Sequence, residues 1–430
     1  LSTWSELDEA DRLNVLQRPA VAADAKIRDD VIRIVDAVRA GGDAAVRDLT
    51  RTFDGAEIDR LRVSPEEIDA AAGELDKEAL AAIDLAIANV RRFHAQQVPQ
   101  PMEVETMPGV RCRRVSHPLD AVGLYVPAGT APLPSAAVML AVPAGIAGCP
   151  VRVMCTPPRQ DGTADPAVIV AASRAGIRDI FKIGGAQAIA AMAYGTETVP
   201  KVCKVFGPGN AWVTSAKTLV SADAGGAAID MPAGPSEVLV IADDSASPAF
   251  VASDLLSQAE HGTDSQVVLV TTSAALAADV RTELDRQLAV LSRAEIAAEA
   301  LRHSLVIVVE DLQTAVDVSN RYAPEHLILQ CRRVAELLPS VRNAGSVFVG
   351  EWTPESVGDY CSGTNHVLPT YGFARNYSGL GVDQFMRQMT IQELTREGLQ
   401  GLGDAVITLA ELEGLDAHAQ AVRLRLEAGS

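Results

Sequence analysis

Apolar residues recur at helical spacing through residues 25–39, where Ile27, Val31, Ile34, Val35 and Val38 share one face ahead of Gly41-Gly42. A second helix is expected over 43–52, stopping at Phe53-Asp54-Gly55. Ser64-Pro65-Glu66-Glu67 then combines a capping box with proline at the first helical position and opens a long helical region toward His94. His94, set among Arg91, Arg92 and Gln96, reads as a surface residue. From Ala121 the period changes. Apolar runs at 122–126, 151–156, 180–183 and 202–206 alternate with apolar helices near 135–146, 166–175 and 186–194, the βαβ repetition of a parallel sheet covered on both faces. After the linker Asp230-Met231-Pro232-Ala233-Gly234-Pro235 a second series follows. Its strands are expected at 237–242, 267–271, 305–309, 327–330 and 347–349, with helices near 248–260, 274–291, 312–320 and 334–341. From Thr390-Ile391-Gln392-Glu393 the chain reads as helical again behind another capping box. That end is too short for a core of its own, so it must pack on its own body or on a partner.

The pattern therefore predicts an α/β protein with two parallel-sheet αβα domains and small helical segments at its ends. Composition fits: 430 residues exceed one ordinary core, and 48% apolar with only 4% aromatic residues means a core of Ala, Val, Leu and Ile. With 37 basic against 56 acidic residues the formal charge is −19. Such a surface repels phosphate backbones, and without a basic stripe nucleic acid is not an expected partner. Six cysteines lack CxxC spacing and read as free thiols of a reducing, cytoplasmic compartment. Leu1-Ser2-Thr3-Trp4-Ser5-Glu6 has neither the basic nor the apolar region of a secretory signal. The uncharged stretch between Asp120 and Arg152 is broken by Pro127, Pro132, Pro134, Pro143 and Pro150, so it reads as a buried layer and no membrane association is expected.

Four pieces carry candidate chemistry. Gln258 and His261 are three apart at the end of a helix that Ser247-Pro248 opens and Gly262 stops, so an amide and an imidazole share one face. Tyr322-Ala323-Pro324-Glu325-His326 sets a carboxylate beside an imidazole; His326 suits taking a proton from an alcohol and Glu325 activating a water. Adjacent strand residues face opposite ways, so Glu325 can share a site with His326 only from the turn after Pro324. The other two pieces are the polar loop Val357-Gly358-Asp359-Tyr360-Cys361-Ser362-Gly363-Thr364-Asn365-His366 and the pair Glu413 and His418. Two histidines, one carboxylate and one amide oxygen would suit zinc, cobalt or manganese with positions open to a substrate. Spacing alone does not choose Asp359 and His418 over His117, His303 or His366. In the first βα series, glycine-bearing turns follow the strands: Tyr125-Val126-Pro127-Ala128-Gly129-Thr130, Gly184-Gly185-Ala186-Gln187 and Gly207-Pro208-Gly209-Asn210. Ligands bind beyond the carboxyl ends of such strands, and bare amides there suit a phosphate, although none of the turns reads GxGxxG.

Over nearly its whole length the chain resembles the L-histidinol dehydrogenase family. The resemblance rests on Tyr125-Val126-Pro127, Phe206-Gly207-Pro208-Gly209-Asn210, Asp230-Met231-Pro232-Ala233-Gly234-Pro235-Ser236-Glu237, Gln258-Ala259-Glu260-His261-Gly262, Ala323-Pro324-Glu325-His326-Leu327 and 362–372. It implies incomplete Rossmann-like, aldehyde-dehydrogenase-like sheets. The expected division is 1–24 as a helical tail, 25–120 with 236–381 as a main domain holding metal and catalytic residues, 121–235 as a second domain contacting NAD, and 382–430 as a helical tail exchanged in a homodimer. It further implies one zinc per subunit on Gln258, His261, Asp359 and His418, with Glu325 and His326 as the acid/base pair. Substrate contacts would fall to Ser236, Gln258, His261, His326, Asp359, Glu413 and His418, and NAD contacts to Tyr125, Gln187 and Asn210. The implied reaction oxidises L-histidinol to L-histidine through the aldehyde, with a hydride passed to NAD at each step. A zinc-dependent hydrolase of a small amine or imidazole substrate would use the same donors without NAD, and a non-catalytic metal-binding dimer would have no need of Glu325 and His326.

Overall fold

The computed structural model describes residues 2–18, 25–128, 132–232 and 234–428. Its strands in chain order are β1 (Ser2–Thr3), β2 (Met102–Met107), β3 (Val110–Pro118), β4 (Ala121–Tyr125), β5 (Val151–Thr156), β6 (Asp179–Lys182), β7 (Lys204–Phe206) and β8 (Ala228–Ile229). They continue with β9 (Glu237–Ala242), β10 (Gln266–Thr271), β11 (Leu305–Val308), β12 (His326–Gln330), β13 (Ser346–Val349) and β14 (Met386–Leu394). Among the described residues these make a parallel sheet in the order β1-β11-β10-β9-β12-β13, a second parallel sheet β6-β5-β4-β7-β8, and an antiparallel sheet β14-β3-β2. Fully buried strands such as β9 and β10 are apolar almost throughout because helices cover both faces.

The helices are α1 (Glu9–Val15), α2 (Ala25–Phe53), α3 (Pro65–Ala71), α4 (Lys77–His94), α5 (Pro134–Ala147), α6 (Pro166–Arg174), α7 (Gly185–Tyr194) and α8 (Ala211–Ala222). The second half adds α9 (Pro248–Ala259), α10 (Ala274–Leu288), α11 (Ala294–Leu301), α12 (Leu312–Tyr322), α13 (Val334–Leu337), α14 (Glu355–Tyr360), α15 (Arg396–Leu412) and α16 (Asp416–Glu427). Gly42 breaks α2 into the two expected helices: its φ of 53° leaves the helical region, and a Cβ there would strike the Glu197 carboxylate, which accepts the Asp43 N–H at 2.7 Å.

Four expectations change. The helices of 25–94 pack chiefly on the second sheet: Val31, Val35, Val38 and Val46 of α2 join the core of α7 and α8, and Ile83, Ile87 and Val90 of α4 join that of α5 and α6, which Val367 and Leu380 also enter. His94 continues that face one turn on and is buried, its Nδ1 at 2.8 Å from the Val90 carbonyl and Asn365 beside Nε2. The N-terminal tail is not helical throughout, because Ser2–Thr3 extend the first sheet beside β11; its residues 19–24 lie outside the described residues, as does Ala233 of the linker. Finally, Thr390-Ile391-Gln392-Glu393 is not a helix start. It lies in β14, whose nine residues pair with β3, and the side chain capping α15 is Thr395. No described helix is long and apolar enough to cross a membrane.

Lys217 and Asp230 form an ion pair sealed from water, and both also grip the turn after β7: Lys217 Nζ donates to the Gly207 carbonyl and the Gly207 N–H donates to Asp230, each at 2.8 Å. Gly207 has a φ of 123°, and a Cβ there would collide with the Tyr125 carbonyl. Lys217→Ala strands a buried carboxylate and should cost about 3–5 kcal/mol of unfolding free energy. Urea denaturation reads this directly, and a loss below about 1 kcal/mol would assign the pair a surface-like weight.

Candidate active site and metal centre

The acid–base candidates Glu325 and His326 stand at the amino end of β12, beside that of β9. After α12, Ala323 turns the chain with a φ of 55°, and Pro324 and Glu325 follow before β12 begins at His326. Glu325 therefore occupies the turn and not the ladder, which lets both side chains face one space. Glu325 accepts the Glu237 N–H at 3.0 Å, His326 Nδ1 lies 3.2 Å from the Glu237 carbonyl, and the two catalytic candidates approach to 3.6 Å. Burial pushes the Glu325 carboxyl up to about 7. Burial alone would lower His326, but the carboxylates of Glu355, Glu325 and Asp359 outweigh it and hold the ring well above the usual imidazole range.

Gln258 lies in the last turn of α9, fully buried, and its Nε2 donates to His261 Nδ1 at 3.0 Å. The helix ends without a side-chain cap on Ser247 and without a left-handed glycine at 262. Across from it, α14 presents Glu355 and Asp359 one turn apart. His261, Glu355 and Asp359 each offer a donor atom, all within 4.8 Å of one another. Asp359 Oδ1 is 3.7 Å from His326 Nε2; burial opposes its ionisation, yet His326, His366 and His261 keep its pKa below the ordinary carboxylate value. Desolvation lowers both His261 and His366. Of the ten buried side-chain atoms without a hydrogen-bond partner among the described residues, four are Gln258 Oε1, His326 Nε2 and both Glu355 oxygens. Buried polar atoms are rarely left so, and their convergence marks a place built for a ligand.

Ser236, half-buried, directly precedes β9 at this same edge. Glu413 and His418 are not brought to it. They are exposed on the α15–α16 hairpin, and among the described residues the donors close enough to share a cation do not include His418.

The other expected contacts gather at the carboxyl edge of the second sheet. Tyr125 ends β4, and its hydroxyl accepts the Gly185 N–H at 3.0 Å; burial raises its pKa. Gln187 is buried in the first turn of α7 and donates to Asp54 at 3.3 Å. Asn210 caps α8, accepting from the Trp212 and Val213 N–H groups. Gly129 and Thr130 of the first glycine turn lie outside the described residues. The linker joins the two edges: Asp230 grips the Gly207 turn and Glu237 the acid–base pair, and seven residues span at most about 25 Å. Sequence reasoning missed Glu355, whose helical spacing from Asp359 was available as a signal, and Asp54, Glu237 and Arg18, for which no local pattern existed.

Two parallel sheets, an enclosed imidazole–carboxylate pair at one edge and glycine turns at another define an α/β enzyme equipped for acid–base chemistry. The family model for histidinol dehydrogenase matches residues 16–426, and the chain belongs to that family of oxidoreductases. It is 56% identical over 424 residues to a histidinol dehydrogenase of Vibrio cholerae, covering 99% of this chain and 97% of that one. A second, from Xanthomonas axonopodis pv. citri, is 55% identical with 98% of each covered. The crystal structure of histidinol dehydrogenase from Elizabethkingia anophelis superposes with a TM-score of 0.95 at 44% identity, covering 98% of this chain and 97% of that one. An aldehyde dehydrogenase structure from Anabaena variabilis, 13% identical with a TM-score of 0.50 over 88% of this chain and 94% of that one, shares the fold alone.

Burial raises Asp54 to about 6 from a model-peptide value of 3.8. The folded state therefore holds a proton that the unfolded chain has released between these values, so this group's contribution to stability is present below pH 4 and lost as pH rises through about 6. Asp54→Asn should accordingly look more favourable relative to wild type at pH 7 than at pH 4.5 in paired urea titrations. An equal difference at both pH values would show that Asp54 titrates normally.

Proposed function

We propose that the chain oxidises L-histidinol to L-histidine in two NAD-dependent steps through histidinaldehyde, in the cytoplasm, with one zinc per subunit. The observation that carries this reading is the enclosed Glu325–His326 pair facing unpartnered donors. Gln258, His261 and Asp359 fit a zinc, being a nitrogen and oxygen set whose amide oxygen has no other partner. The turns bearing Tyr125, Gln187 and Asn210 lie at the carboxyl edge of a parallel sheet, where α/β folds take a dinucleotide. When bound, zinc would orient the substrate's nitrogens and NAD would take up hydride.

The chain's own residues supply the rest. His326 accepts the alcohol proton, which requires that the negative field of Asp359 and Glu355 be offset, as a cation would offset it. Glu325 takes a proton from the water that attacks the aldehyde carbon, and its raised pKa suits proton exchange near neutrality. Ser236 borders the substrate space from the start of β9.

Glu413 and His418 act in trans in a homodimer on this reading. The hairpin bearing them also exposes Leu409, Leu412, Leu415 and Leu424, an apolar surface suited to a second copy. Six free cysteines accord with a reducing compartment.

Reduced cofactor formed per histidinol, measured with and without a chelator, tests the whole reading. A yield near two that chelation abolishes is expected, whereas turnover without NAD would mean a hydrolase. His326→Asn should retain zinc and fold and lose turnover by roughly 10²–10⁴-fold; wild-type turnover would remove it from the mechanism. Glu325→Gln should slow aldehyde oxidation more than alcohol oxidation. Mixing inactive His261→Ala with inactive His418→Ala protein should restore part of the activity, and no recovery despite subunit exchange would count against the exchanged tail.

A further inference from the structure

Resting on the NAD reading above, the turn after β6 raises the question of which part of a dinucleotide it meets. Its amides are not free for a phosphate. The Gly185 N–H already donates to the Tyr125 hydroxyl at 3.0 Å, and at the turn before α8 the Trp212 and Val213 N–H groups donate to Asn210. Acceptors stand there instead. Asp54, brought in at the end of α2, reaches the turn so closely that a Cβ on Gly184 would lie 2.9 Å from its Oδ1. Gln187 Nε2 donates to the same carboxylate at 3.3 Å, and its Oε1 lies 2.8 Å from where a Cβ on Gly185 would stand. Asp54 is half-buried and has no ion pair among the described residues, so nothing basic offsets its charge when it ionises. Such a carboxylate repels a phosphate and accepts hydrogen bonds from hydroxyl groups. In a dinucleotide the hydroxyls that fit are those of a ribose.

Strand order selects which ribose. β6 is the outer strand of the second sheet, and the linker toward the acid–base pair leaves from β8 at the opposite side. Four strand spacings, about 19 Å, separate the two. The nicotinamide must reach the acid–base pair, so the sugar at the β6 turn is that of the adenosine, whose 2′-hydroxyl carries the extra phosphate of NADP. We propose that Asp54 is a specificity-determining residue: it accepts the hydroxyls of the adenosine ribose, and its charge excludes a 2′-phosphate, while the uncharged Gln187 serves either cofactor.

The test uses the full-length protein and two readouts: dissociation constants of NADH and NADPH from nicotinamide fluorescence, without turnover, and kcat/KM for NAD and NADP at saturating histidinol. Wild type should favour the unphosphorylated cofactor in both. Asp54→Asn keeps the volume and removes the charge; preference should move toward the phosphorylated cofactor by more than roughly tenfold, because a like-charge contact costs more than one decade of affinity. Asp54→Glu retains the charge and should still reject NADPH. Gln187→Ala should weaken both cofactors by the same factor. An Asp54→Asn protein that loses affinity for NADH and NADPH alike overturns the proposal, since that pattern belongs to a residue that only holds Gln187 in place. Unchanged preference in Asp54→Asn overturns it too, as does wild type that binds both cofactors equally. Should Asp54→Asn fail to fold by circular dichroism, Asp54→Ser carries the same readouts. The NAD reading fails separately, if wild-type protein binds neither cofactor and reduces neither in the presence of histidinol.

Discussion

Glu237 is sealed from water, and a carboxylate so placed must find charge and hydrogen bonds or cost several kcal/mol. It finds Arg18, whose Nε and Nη2 donate at 2.6 and 3.1 Å, the Tyr322 hydroxyl at 2.7 Å, and the Gly372 N–H at 3.4 Å. Arg18 lies over the Tyr322 ring, 3.9 Å from its centroid, and donates to the Tyr322 carbonyl. Three segments far apart in sequence are thereby tied to one side chain. The backbone of the same residue holds Glu325 through its N–H and His326 through its carbonyl. The Glu325–His326 pair thus inherits its position from the Arg18–Glu237 ion pair beside it, which is how a site at a strand terminus acquires the rigidity of the sheet behind it.

The two functional edges differ in how they are made. At the carboxyl edge of the second sheet, short turns present backbone, and side chains such as Asn210 and Tyr125 serve to hold those turns in shape. At the amino edge of the first sheet the candidate groups are side chains, arriving from strand starts, from the end of α9 and from both ends of the short α14. Helices that follow a parallel strand run back along it, so their last turns reach the edge where the strand began. Gln258 and His261 meet His326 for that reason.

Legibility in the sequence followed the range of the physics. Short-range signals held: the Gly42 break, the capping box at Ser64, the α9 turn carrying Gln258 and His261, and nearly every strand of the parallel sheets. Glu325 also met its stated condition, a place in the turn after Pro324. What failed depended on contacts distant in sequence. β14 looked like a helix start because its pairing partner β3 lies more than 260 residues earlier. His94 looked exposed amid arginines because Asn365, which packs against it, belongs to another part of the chain. The helices of 25–94 were assigned to the wrong sheet since an apolar face names no partner. Glu355 was passed over because a single acidic residue at a helix start ordinarily only favours the dipole. The choice of Asp359 rested on family likeness; spacing had no means to supply it.

The pairing of β14 with β3 also has a temporal side. Leu394 lies opposite Val110, and at the other end Ser2 lies opposite Ile307 and Arg18 grips Glu237. A chain emerging from the ribosome can assemble the sheet of 121–229 with its helices while these three closures still wait for residues not yet made. Until translation passes residue 394, β3 has only β2 beside it and keeps one edge open to any strand that comes near, its own copy on a neighbouring ribosome included. That edge therefore stays open to wrong pairing through most of synthesis, even after the second sheet has gathered its helices.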